Sequence, residues 1–389
     1  MIVEIVFWAA ALAVGYAYLG YPLVLALATR WRMPARQRGL RPRRHLSVIV
    51  AAYNEAGVIA AKIRSVLEQS YPPHRLEVIV VSDGSTDGTD EIVGAFGDRR
   101  VRLVRQEPRA GKSLALNRGV AVASGDVLIF TDANALFGPE SLARLAAAFQ
   151  DPRVGLVSGQ GLYAAGDAEA PRVVGNGYVR YEAFVKSREG CLGFVAGADG
   201  AIYALRRELY QDLGAAEVND LLHPIQAALA GYASDFDAHA YTVEPPSKNS
   251  ASEFRRHVRI IAQGMTLLAA WLPRLVAARR WRAIWMLSSH RLLRWASAPL
   301  LVTALVANAW LAAEPFYRLT LAAQAAFYGL ALLGFLAERA GLALGRLAVP
   351  YYFCVVSAAG VGGFVRYLRA GGEAVWTPRG QASMGDRAA

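Results

Sequence analysis

Cysteine and histidine are scarce in this sequence, which limits the metal sites and cross-links that it can build. The 389 residues include two cysteines, Cys191 and Cys354, and six histidines. Two cysteines this far apart make neither a disulfide framework nor a cysteine zinc site, and no Cys/His cluster has the spacing of metal ligands. The composition therefore gives no sign of an oxidising compartment or of a structural zinc ion.

Acidic residues are fewer than basic ones, and the location of the basic excess is informative. With 42 Lys and Arg against 31 Asp and Glu, the formal net charge is +11. Such a balance also fits nucleic-acid binding, but here the basic residues adjoin long apolar segments, as they do at the cytoplasmic face of a bilayer. We therefore expect membrane lipids, and no nucleic acid, as partners. The residues concerned are Arg30, Arg32, Arg36, Arg38, Arg41, Arg43, Arg44, Arg279, Arg280, Arg282, Arg291 and Arg294.

Charged residues are missing from long segments near both ends of the chain. The run 5–28 is long enough to cross a hydrocarbon core of ~30 Å as one helix. A secretory signal peptide is the alternative, but Glu4 rather than a basic residue precedes the run, which favours an uncleaved helix. Apolar runs at 296–313, 319–337 and 347–365 predict about three further spans.

The topology of the C-terminal region is ambiguous. The segment 283–295 mixes apolar and basic residues, which is typical of an interfacial helix. Three crossings after it put the C-terminus outside, whereas Arg366, Arg369 and Arg379 favour the cytoplasmic side. We expect a multi-pass protein of the inner (plasma) membrane with a cytoplasmic catalytic domain. The predicted divisions are a transmembrane helix (1–29), a cytoplasmic domain (30–245), amphipathic or interfacial helices (246–295), transmembrane helices (296–369) and a tail (370–389).

The middle of the chain alternates apolar strands with helices. The strands are "HLSVIVAAYNE", "LEVIVVSDGSTDGT", "VRLVRQ" and "DVLIFTDAN", and helices are predicted at 56–69, from about Thr89, and at 112–123. This order predicts an α/β domain with a mostly parallel sheet, in which ligands bind at the carboxyl ends of the strands. Three strands end in polar side chains, which suggests one shared site. These side chains are Asn54, Glu55, Asp83, Asp132 and Asn134.

Two nucleotide-binding motifs are absent from these turns. Gly111-Lys112-Ser113 resembles the end of a P-loop, but Gln106 stands where that motif needs its first glycine. The turn from Gly84 to Gly88 lacks the G-x-G-x-x-G spacing of a dinucleotide fold. The sequence therefore favours neither a nucleoside triphosphatase nor a dehydrogenase.

Five motifs together resemble a known family. "SVIVAAYNEAGVI", "VIVVSDGSTDGT", "GKSLALNRG", "GDVLIFTDAN" and "GADGAIYALRREL" are similar in order and spacing to the inverting family 2 glycosyltransferases of the GT-A fold, a Rossmann-like nucleotide-diphospho-sugar transferase fold. The flanking apolar helices resemble those of the membrane-bound polysaccharide-synthase branch. The resemblance implies a donor site that contains Ala52, Tyr53 and Glu55 in a uridine pocket, Asp83 at the base, and Lys112 near the nucleotide or its diphosphate.

The resemblance also implies a metal site at the end of the fourth strand. Asp132 corresponds to the first carboxylate of the family's D-x-D motif, which holds Mg2+ or Mn2+. Asn134 occupies the second position, where the family usually has Asp. An amide oxygen can ligate either ion but carries no charge. A divalent ion at this place would stabilise the charge that builds on the diphosphate leaving group.

A second carboxylate is needed to take the proton of the acceptor hydroxyl. The resemblance places this general base at Asp220 in "EVNDLLHPI", with Asn219 in place of the family's Glu. A helix N-cap at Asn219-Asp220 is the alternative interpretation. Asp199 is expected near the acceptor or, alternatively, in a turn. We expect a structural rather than a catalytic role for His223.

The last motif departs from the family. Processive synthases carry Q-x-x-R-W, whereas this chain has "RRHVRIIAQG", in which Arg259 matches the Arg while Arg256 and Ile260 replace Gln and Trp. Arg259 would bind the donor diphosphate through a bidentate contact, or it would form part of a basic helix face on lipid headgroups. Without the Trp, cellulose-like or hyaluronan-like processivity is not expected.

These expectations combine into one leading function and two alternatives. The leading function is a metal-dependent, inverting transfer of a sugar, from a UDP-sugar donor, to a glycan or lipid-linked acceptor in exopolysaccharide or envelope glycan synthesis. Other polysaccharide-export or synthase subunits are candidate partners. The first alternative is a transferase that adds one sugar to a polyprenyl-linked acceptor. The second is a catalytically degenerate nucleotide-sugar-binding protein that regulates a partner.

Overall fold

The computed structural model describes residues 1–31, 44–165, 172–174, 177–245, 250–342 and 344–370. The basic residues predicted at the bilayer between 32 and 43, and the tail with Arg379, lie outside the described residues. The chain divides into two compact units. An α/β unit takes in the described part of 31–246 together with Arg274–Ala283, and a helical unit takes in Met1–Arg30 and the described parts of 247–273 and 284–372.

Within the described residues, the α/β unit is built on a nine-stranded sheet with the strand order β3-β2-β1-β4-β8-β6-β9-β5, and β7 pairs with β6. The strands are β1 (Leu46–Ala52), β2 (Leu76–Asp83), β3 (Val101–Gln106), β4 (Val127–Asp132), β5 (Leu136–Phe137), β6 (Val154–Ala165), β7 (Arg172–Val174), β8 (Tyr203–Arg206) and β9 (Ala233–Glu244). The α-helices of the chain are α1 (Ile2–Gly15), α2 (Tyr21–Ala28), α3 (Ile59–Leu67), α4 (Thr89–Gly94), α5 (Lys112–Val122), α6 (Ser141–Ala148), α7 (Gly177–Cys191), α8 (Asn219–Leu229), α9 (Ser250–Ala277), α10 (Trp281–Leu287), α11 (Leu293–Trp295), α12 (Ser297–Trp310), α13 (Pro315–Arg339) and α14 (Ala348–Ala370).

The first four strands form the parallel half of the sheet, as the alternation of strands and helices predicts. β1 pairs in parallel with β2 and β4, and β2 pairs in parallel with β3. In these registers Ala52 lies opposite Ser82, and Ala51 lies opposite Asp132. Parallel pairing brings the carboxyl ends of these strands to one edge, so the polar turns that follow them are neighbours in space.

Burial on both faces explains why these strands are nearly all apolar. Every residue of β1 is buried, and helices cover the sheet, as expected for parallel strands. On one side, α3 contributes Ile59, Ile63 and Val66 to the core. On α5, a Cβ at Gly119 would lie 2.6 Å from Ile49 Cγ2, so a glycine is needed for this close helix–sheet contact. The predicted helix at 56–69 is shorter in the structure, because residues 56–58 form a turn.

The antiparallel half of the sheet was not predicted. β8 runs antiparallel to β4, with Phe130 opposite Tyr203, and it joins β4 to β6. β9 then pairs in parallel with β6, with two irregularities of register. These strands are separated by long segments of chain, and their pairing has no local signal. The arrangement places the segment before β8 next to the end of β4.

The helical unit contains the segments that are apolar enough to cross a membrane. Within the described residues, four helices pass this test by length and composition, and a fifth candidate is a pair of helices bent by 61°. The four are Ile2–Ala28, Ser250–Ala277, Pro315–Arg339 and Gly345–Arg369, and the bent pair is Trp281–Trp295 with Ser297–Trp310. The chain therefore has membrane-spanning candidates at both ends.

Two of these elements differ from the sequence expectation. The predicted span 296–313 is a helix of 14 residues, shorter than the about 20 residues that one crossing needs. It passes the test only together with the preceding helical segment. α9, which falls within the predicted interfacial region 246–295, has 28 residues and is apolar enough for a span. The number of crossings and the side of each terminus stay predictions.

Candidate active site at the carboxyl edge of the sheet

Hydrogen bonds connect the turns after β1 and β2. Asn54 has a left-handed backbone with φ of 54°, a conformation that Asn adopts more readily than most residues. Its N–H donates to Ser85 Oγ at 3.1 Å, and its Oδ1 accepts from the Thr86 N–H at 2.8 Å. Asn54 therefore holds the two turns at a fixed separation. The sequence placed Asn54 at the site without assigning it this role.

Glu55 lies next in this turn and is half-buried. Its N–H donates to Thr89 Oγ1 at 2.9 Å, and the N–H of Ala56 donates to Asp87 Oδ2 at 3.0 Å. Burial, followed by repulsion from Asp132 and Asp87, raises the pKa of the Glu55 carboxyl from 4.5 to about 7. Glu55 thus lies within electrostatic reach of the carboxylate at the end of β4.

Asp83, the last residue of β2, is fully buried and organises the loop before α5. Its Oδ1 accepts from Gln106 Nε2 at 2.6 Å and from the Ala110 N–H at 2.8 Å, and its Oδ2 accepts from the Gly111 N–H at 2.9 Å. The predicted contact of Asp83 with the nucleotide base stays a prediction. In the structure, the Asp83 carboxylate holds this loop in position.

Arg109 is a residue of the site that the sequence motifs did not reveal. Its guanidinium carbon lies 3.8 Å from the centroid of the Tyr53 ring, and its Nε lies 3.8 Å from Asp83 Oδ2. A cation over an aromatic face within about 6 Å is a favourable contact. Tyr53 and Arg109 thus form a flat cationic surface beside the end of β1. The only signal in the sequence is an Arg shortly before Gly111-Lys112.

Lys112 and Asp132 bring the loops of β3 and β4 together. Lys112 Nζ lies 2.5 Å from Asp132 Oδ1, in an ion pair that is partly open to solvent. Lys112 begins α5, and the preceding Gly111 has φ of 95°, which favours glycine. The site therefore combines a cation from one loop with a carboxylate from the next.

Asp132 and Asn134 point away from the core. Along this turn Thr131, Ala133 and Ala135 are buried, while Asp132 and Asn134 are half-buried. No group of three or more His, Cys, Asp or Glu side chains that could hold a metal occurs in the part of the chain that the structure describes. Mg2+ commonly takes one or two carboxylates and completes its shell with water and substrate phosphate oxygens. One carboxylate and one amide oxygen fit this type of site.

Asp220 lies in the first turn of α8, beside the segment that leads into β8. Pro224 has no N–H for the usual helical bond to the Asp220 carbonyl. That carbonyl instead accepts from the Ala198 N–H at 2.8 Å. A Cβ at Gly200 would lie 2.8 Å from Asp220 Oδ2, so the carboxylate needs glycine at this position. The N-cap of α8 is Val218, with no side-chain cap; the N-cap interpretation of Asn219-Asp220 is therefore wrong.

Asp199 braces the same segment. Its Oδ2 accepts from the Gly161 N–H at 2.8 Å, and its Oδ1 accepts from the Ala201 N–H at 3.2 Å. These contacts correspond to the turn role, and a role of Asp199 toward an acceptor stays a prediction. Thr131 Oγ1 donates to the Ala201 carbonyl at 2.7 Å. The residue before Asp132 is therefore bonded to the residue after Gly200.

A buried aromatic cluster lies behind Asp220. The Tyr203 hydroxyl accepts from Asn219 Nδ2 at 2.5 Å and lies 2.9 Å from His223 Nδ1. Burial lowers the pKa of His223 to about 3, so the ring is neutral. The pKa of Tyr203 is well above 10, chiefly because of burial, with Asp220 and Asp132 both contributing. The negative charges of Asp132 and Asp220 thus both disfavour ionisation of the buried Tyr203 hydroxyl.

The predicted site residues therefore fall into two groups. The α/β unit holds Ala52, Tyr53, Glu55, Asp83, Lys112, Asp132, Asn134, Asp199 and Asp220 near one edge of its sheet. Arg259 lies on α9, within the part of that helix assigned to the helical unit. Its role toward the diphosphate stays a prediction.

Comparison with known proteins bears directly on the α/β unit. Residues 47–214 match the family described as glycosyl transferase family 2. The probable glycosyltransferase YdaM of Bacillus subtilis is 35% identical over 116 residues, which are 28% of this chain and 27% of that protein. The beta-monoglucosyldiacylglycerol synthase of Nostoc sp. is 32% identical over 116 residues, 29% of this chain and 25% of that protein. The matches thus span about a quarter of the length of these curated relatives.

One solved structure is similar over most of the chain. The mannosyltransferase PcManGT from Pyrobaculum calidifontis, in complex with GDP-Man and Mn2+, superposes with a TM-score of 0.68 and 26% identity. The similarity covers 93% of this chain and 99% of that one. The strand order, the motif turns and these matches agree with each other and with the resemblance drawn from the five motifs. Residues 47–214 therefore match glycosyl transferase family 2, and the α/β unit has the Rossmann-like GT-A fold.

Proposed function

We propose that this protein transfers a hexosyl group from a nucleotide-diphosphate sugar to a glycan or lipid-linked acceptor at a membrane, with inversion at the anomeric carbon. One observation carries the proposal. Lys112 and Asp132 form a cation–carboxylate pair at the sheet edge, and a hydrogen bond from Thr131, the residue before Asp132, to the Ala201 carbonyl connects this edge to the segment beside Asp220. The Lys112–Asp132 pair is suited to binding a diphosphate, and the Asp220 carboxylate is suited to accepting a proton.

The nucleobase would bind at the surface formed by Tyr53 and Arg109. An aromatic ring and a guanidinium plane both stack on a flat base, and the guanidinium also has N–H donors for base oxygens. Asp83 supports this surface from below through the loop that it holds. The uridine donor expected from the motifs is one candidate. The complex of PcManGT with GDP-Man makes GDP-mannose the competing candidate.

The chemistry follows from the charges at the edge. The acceptor oxygen attacks the anomeric carbon, the bond from that carbon to the diphosphate oxygen breaks, and its electron pair leaves with the diphosphate. Lys112 donates hydrogen bonds to the oxygens that gain charge. Asp132 and Asn134 would hold Mg2+ or Mn2+, which supplies further positive charge to the diphosphate when bound. Asp220 accepts the proton of the attacking hydroxyl.

The helical unit favours an acceptor that is itself at the membrane. Four helices in the described chain are apolar enough to span a bilayer, and one relative is named for a glycosylated diacylglycerol product. A polyprenyl-linked or diacylglycerol-like acceptor would be held by the same membrane as the protein. We place the protein in the inner membrane, in envelope or exopolysaccharide synthesis, with other synthase subunits as candidate partners.

Nucleotide release by the full chain, reconstituted in lipid, tests the proposal. GDP-mannose and a panel of UDP- and CDP-sugars are supplied with Mg2+, Mn2+ or EDTA and a total lipid extract as the acceptor source. We expect one donor to release its nucleotide in a metal-dependent manner and Asp132→Ala to abolish this release. The exposed Asp212→Asn serves as a charge-matched control that leaves release unchanged. Tight nucleotide binding without release from any donor would instead favour the regulatory binding protein.

A further inference from the structure

A buried lysine lies under the turn that carries Asp132 and Asn134. Lys62 is on α3, the helix whose residues Ile59, Ile63 and Val66 pack into the core, and its side chain is 0% exposed. A charged side chain in such surroundings is costly unless polar groups surround its charged end. The contacts of Lys62 Nζ therefore indicate why a lysine is present at this position.

The Nζ atom contacts both flanks of the turn. It donates to Thr131 Oγ1 at 2.7 Å and to the Ala135 carbonyl, and it lies 3.9 Å from the centroid of the Phe137 ring. Thr131 immediately precedes Asp132, and Ala135 immediately follows Asn134. One side chain thus binds the residues on either side of the two expected metal ligands.

Thr131 extends this connection to the other half of the site. Its hydroxyl accepts from Lys62 and donates to the Ala201 carbonyl at 2.7 Å. The turn itself is closed by the Ala135 N–H, which donates to the Asp132 carbonyl at 3.3 Å. Lys62, Thr131 and Ala201 therefore form a continuous chain of hydrogen bonds behind Asp132.

Another buried polar residue on this side of the sheet provides a contrast. Gln69 follows the end of α3, donates to the Gly138 carbonyl at 2.8 Å and accepts from the Leu142 N–H at 3.2 Å. It supports the chain between β5 and α6, beyond Asn134, and it bonds to neither flank of the turn. Lys62 and Gln69 are thus comparably buried, but Lys62 bonds to the turn with Asp132 and Asn134, whereas Gln69 bonds to the chain between β5 and α6.

We propose that Lys62 is a positioning residue that sets the separation and orientation of Asp132 and Asn134 for a divalent ion, an inference that rests on the proposed function. It does not touch the reacting atoms and acts through the backbone of the turn. Residues that orient metal ligands from behind typically change metal affinity by about 10- to 100-fold when they are replaced. A loss of metal affinity of this size would distinguish a positioning role of Lys62 from a packing role.

Mn2+ binding measured by electron paramagnetic resonance on the full chain in lipid nanodiscs tests the inference. Titrations contain saturating GDP or UDP, whichever binds the wild-type protein. We expect Lys62→Met to weaken Mn2+ binding by about 10-fold or more, while Gln69→Leu lowers thermal stability without changing Mn2+ affinity. In turnover assays, Lys62→Met should raise the Mn2+ concentration for half-maximal rate, and saturating Mn2+ should restore most of the rate.

Thr131 provides a second pair of variants in case Lys62→Met does not fold. Thr131→Val removes the hydroxyl at constant shape, and Thr131→Ser retains it, so weak Mn2+ binding in the first variant with recovery in the second would support the inference. Unchanged Mn2+ affinity in folded Lys62→Met or in Thr131→Val would overturn it. No Mn2+–nucleotide binding by the wild-type protein would instead overturn the proposed function, and the inference with it.

Discussion

The two halves of the site are assembled in different ways. The half proposed to bind the donor, called the donor half, is formed by the turns after β1, β2 and β4 and the loop before α5, and it is set by parallel pairing and by hydrogen bonds between adjacent turns. The half proposed to bind the acceptor, called the acceptor half, is formed by the start of α8 and the segment before β8, and it depends on Pro224, Gly200 and a buried Tyr–His–Asn cluster. Sequence motifs therefore identify most residues of the first half, whereas the contacts that build the second half have no local signal in the sequence. The two halves should respond differently to substitution.

The largest effect on the donor half is expected at Lys112. Lys112→Met removes the side-chain ammonium group that faces Asp132, and with it the N–H donors of that group. We expect turnover to fall by about 10²- to 10³-fold, as when one donor to a developing charge is removed, with weaker nucleotide binding. Steady-state kinetics and calorimetry measure the two quantities. The half-buried Lys186→Met is the matched control, and an equal loss in both variants would contradict the assignment.

Gly200→Ala tests the acceptor half by adding an atom rather than by removing a charged group. The added Cβ would lie 2.8 Å from Asp220 Oδ2, so the carboxylate must move. Since a misplacement of about 1 Å can cost about 10²-fold in rate, we expect a loss of this order with unchanged nucleotide affinity. Gly57→Ala, where nothing lies within 4 Å of the new Cβ, is the control. A fall in nucleotide affinity for Gly200→Ala would show that the two halves are not separable.

Arg109→Met tests whether Arg109 belongs to the nucleobase pocket of the donor half. The variant keeps most of the side-chain volume over Tyr53 but removes the cation and its donors. We expect nucleotide affinity to fall by about 10-fold, which corresponds to ~1.4 kcal/mol and lies within the range of such contacts. Calorimetric titrations with GDP, UDP and CDP measure the change. Equal affinity of wild type and variant for all three nucleotides would exclude Arg109 from the base pocket.

The smallest effect is a pH dependence of stability that originates in the donor half. Glu55 has a folded-state pKa of about 7 against 4.5 for an ordinary Glu, so between these values the folded protein binds more protons than the unfolded chain. The stabilisation of the fold that results from this raised pKa is present below pH 4.5 and is lost as the pH rises through 7. The melting temperature of the wild-type protein relative to Glu55→Gln should therefore fall from pH 4.5 to 7. A flat difference would contradict the raised pKa.

The strand ends were the most predictable part of the molecule. An apolar run that stops at Asp83 or Asp132 is a local pattern, and parallel pairing follows from the alternation of strands and helices. The divalent-ion expectation for Asp132 and Asn134 came from the family resemblance rather than from the pattern alone. The sheet order around β1 and β4 agrees with these expectations.

Other features depend on contacts between distant residues. In sequence, Lys62 lies on the same helix face as Ile59, Ile63 and Val66, but its contacts with Thr131 and Phe137 come from distant strands and have no local signal. Pro224 lies within α8, and the hydrogen bond that the Asp220 carbonyl makes in its place depends on Ala198, which is distant in the sequence. The bend at Ala296 coincides with the predicted boundary between 283–295 and 296–313, but the sequence did not indicate that these two segments form a candidate span only as a pair.

The most direct test of the account is the behaviour of Asp220→Asn in the reconstituted full chain. Nucleotide affinity in the presence of Mn2+ and the rate of sugar transfer are measured on the same preparation. We expect unchanged affinity and a rate reduced by about 10²- to 10⁴-fold, the contribution of a general base. A transfer rate equal to that of the wild-type protein would contradict the assignment of Asp220 and the division of the site into two halves.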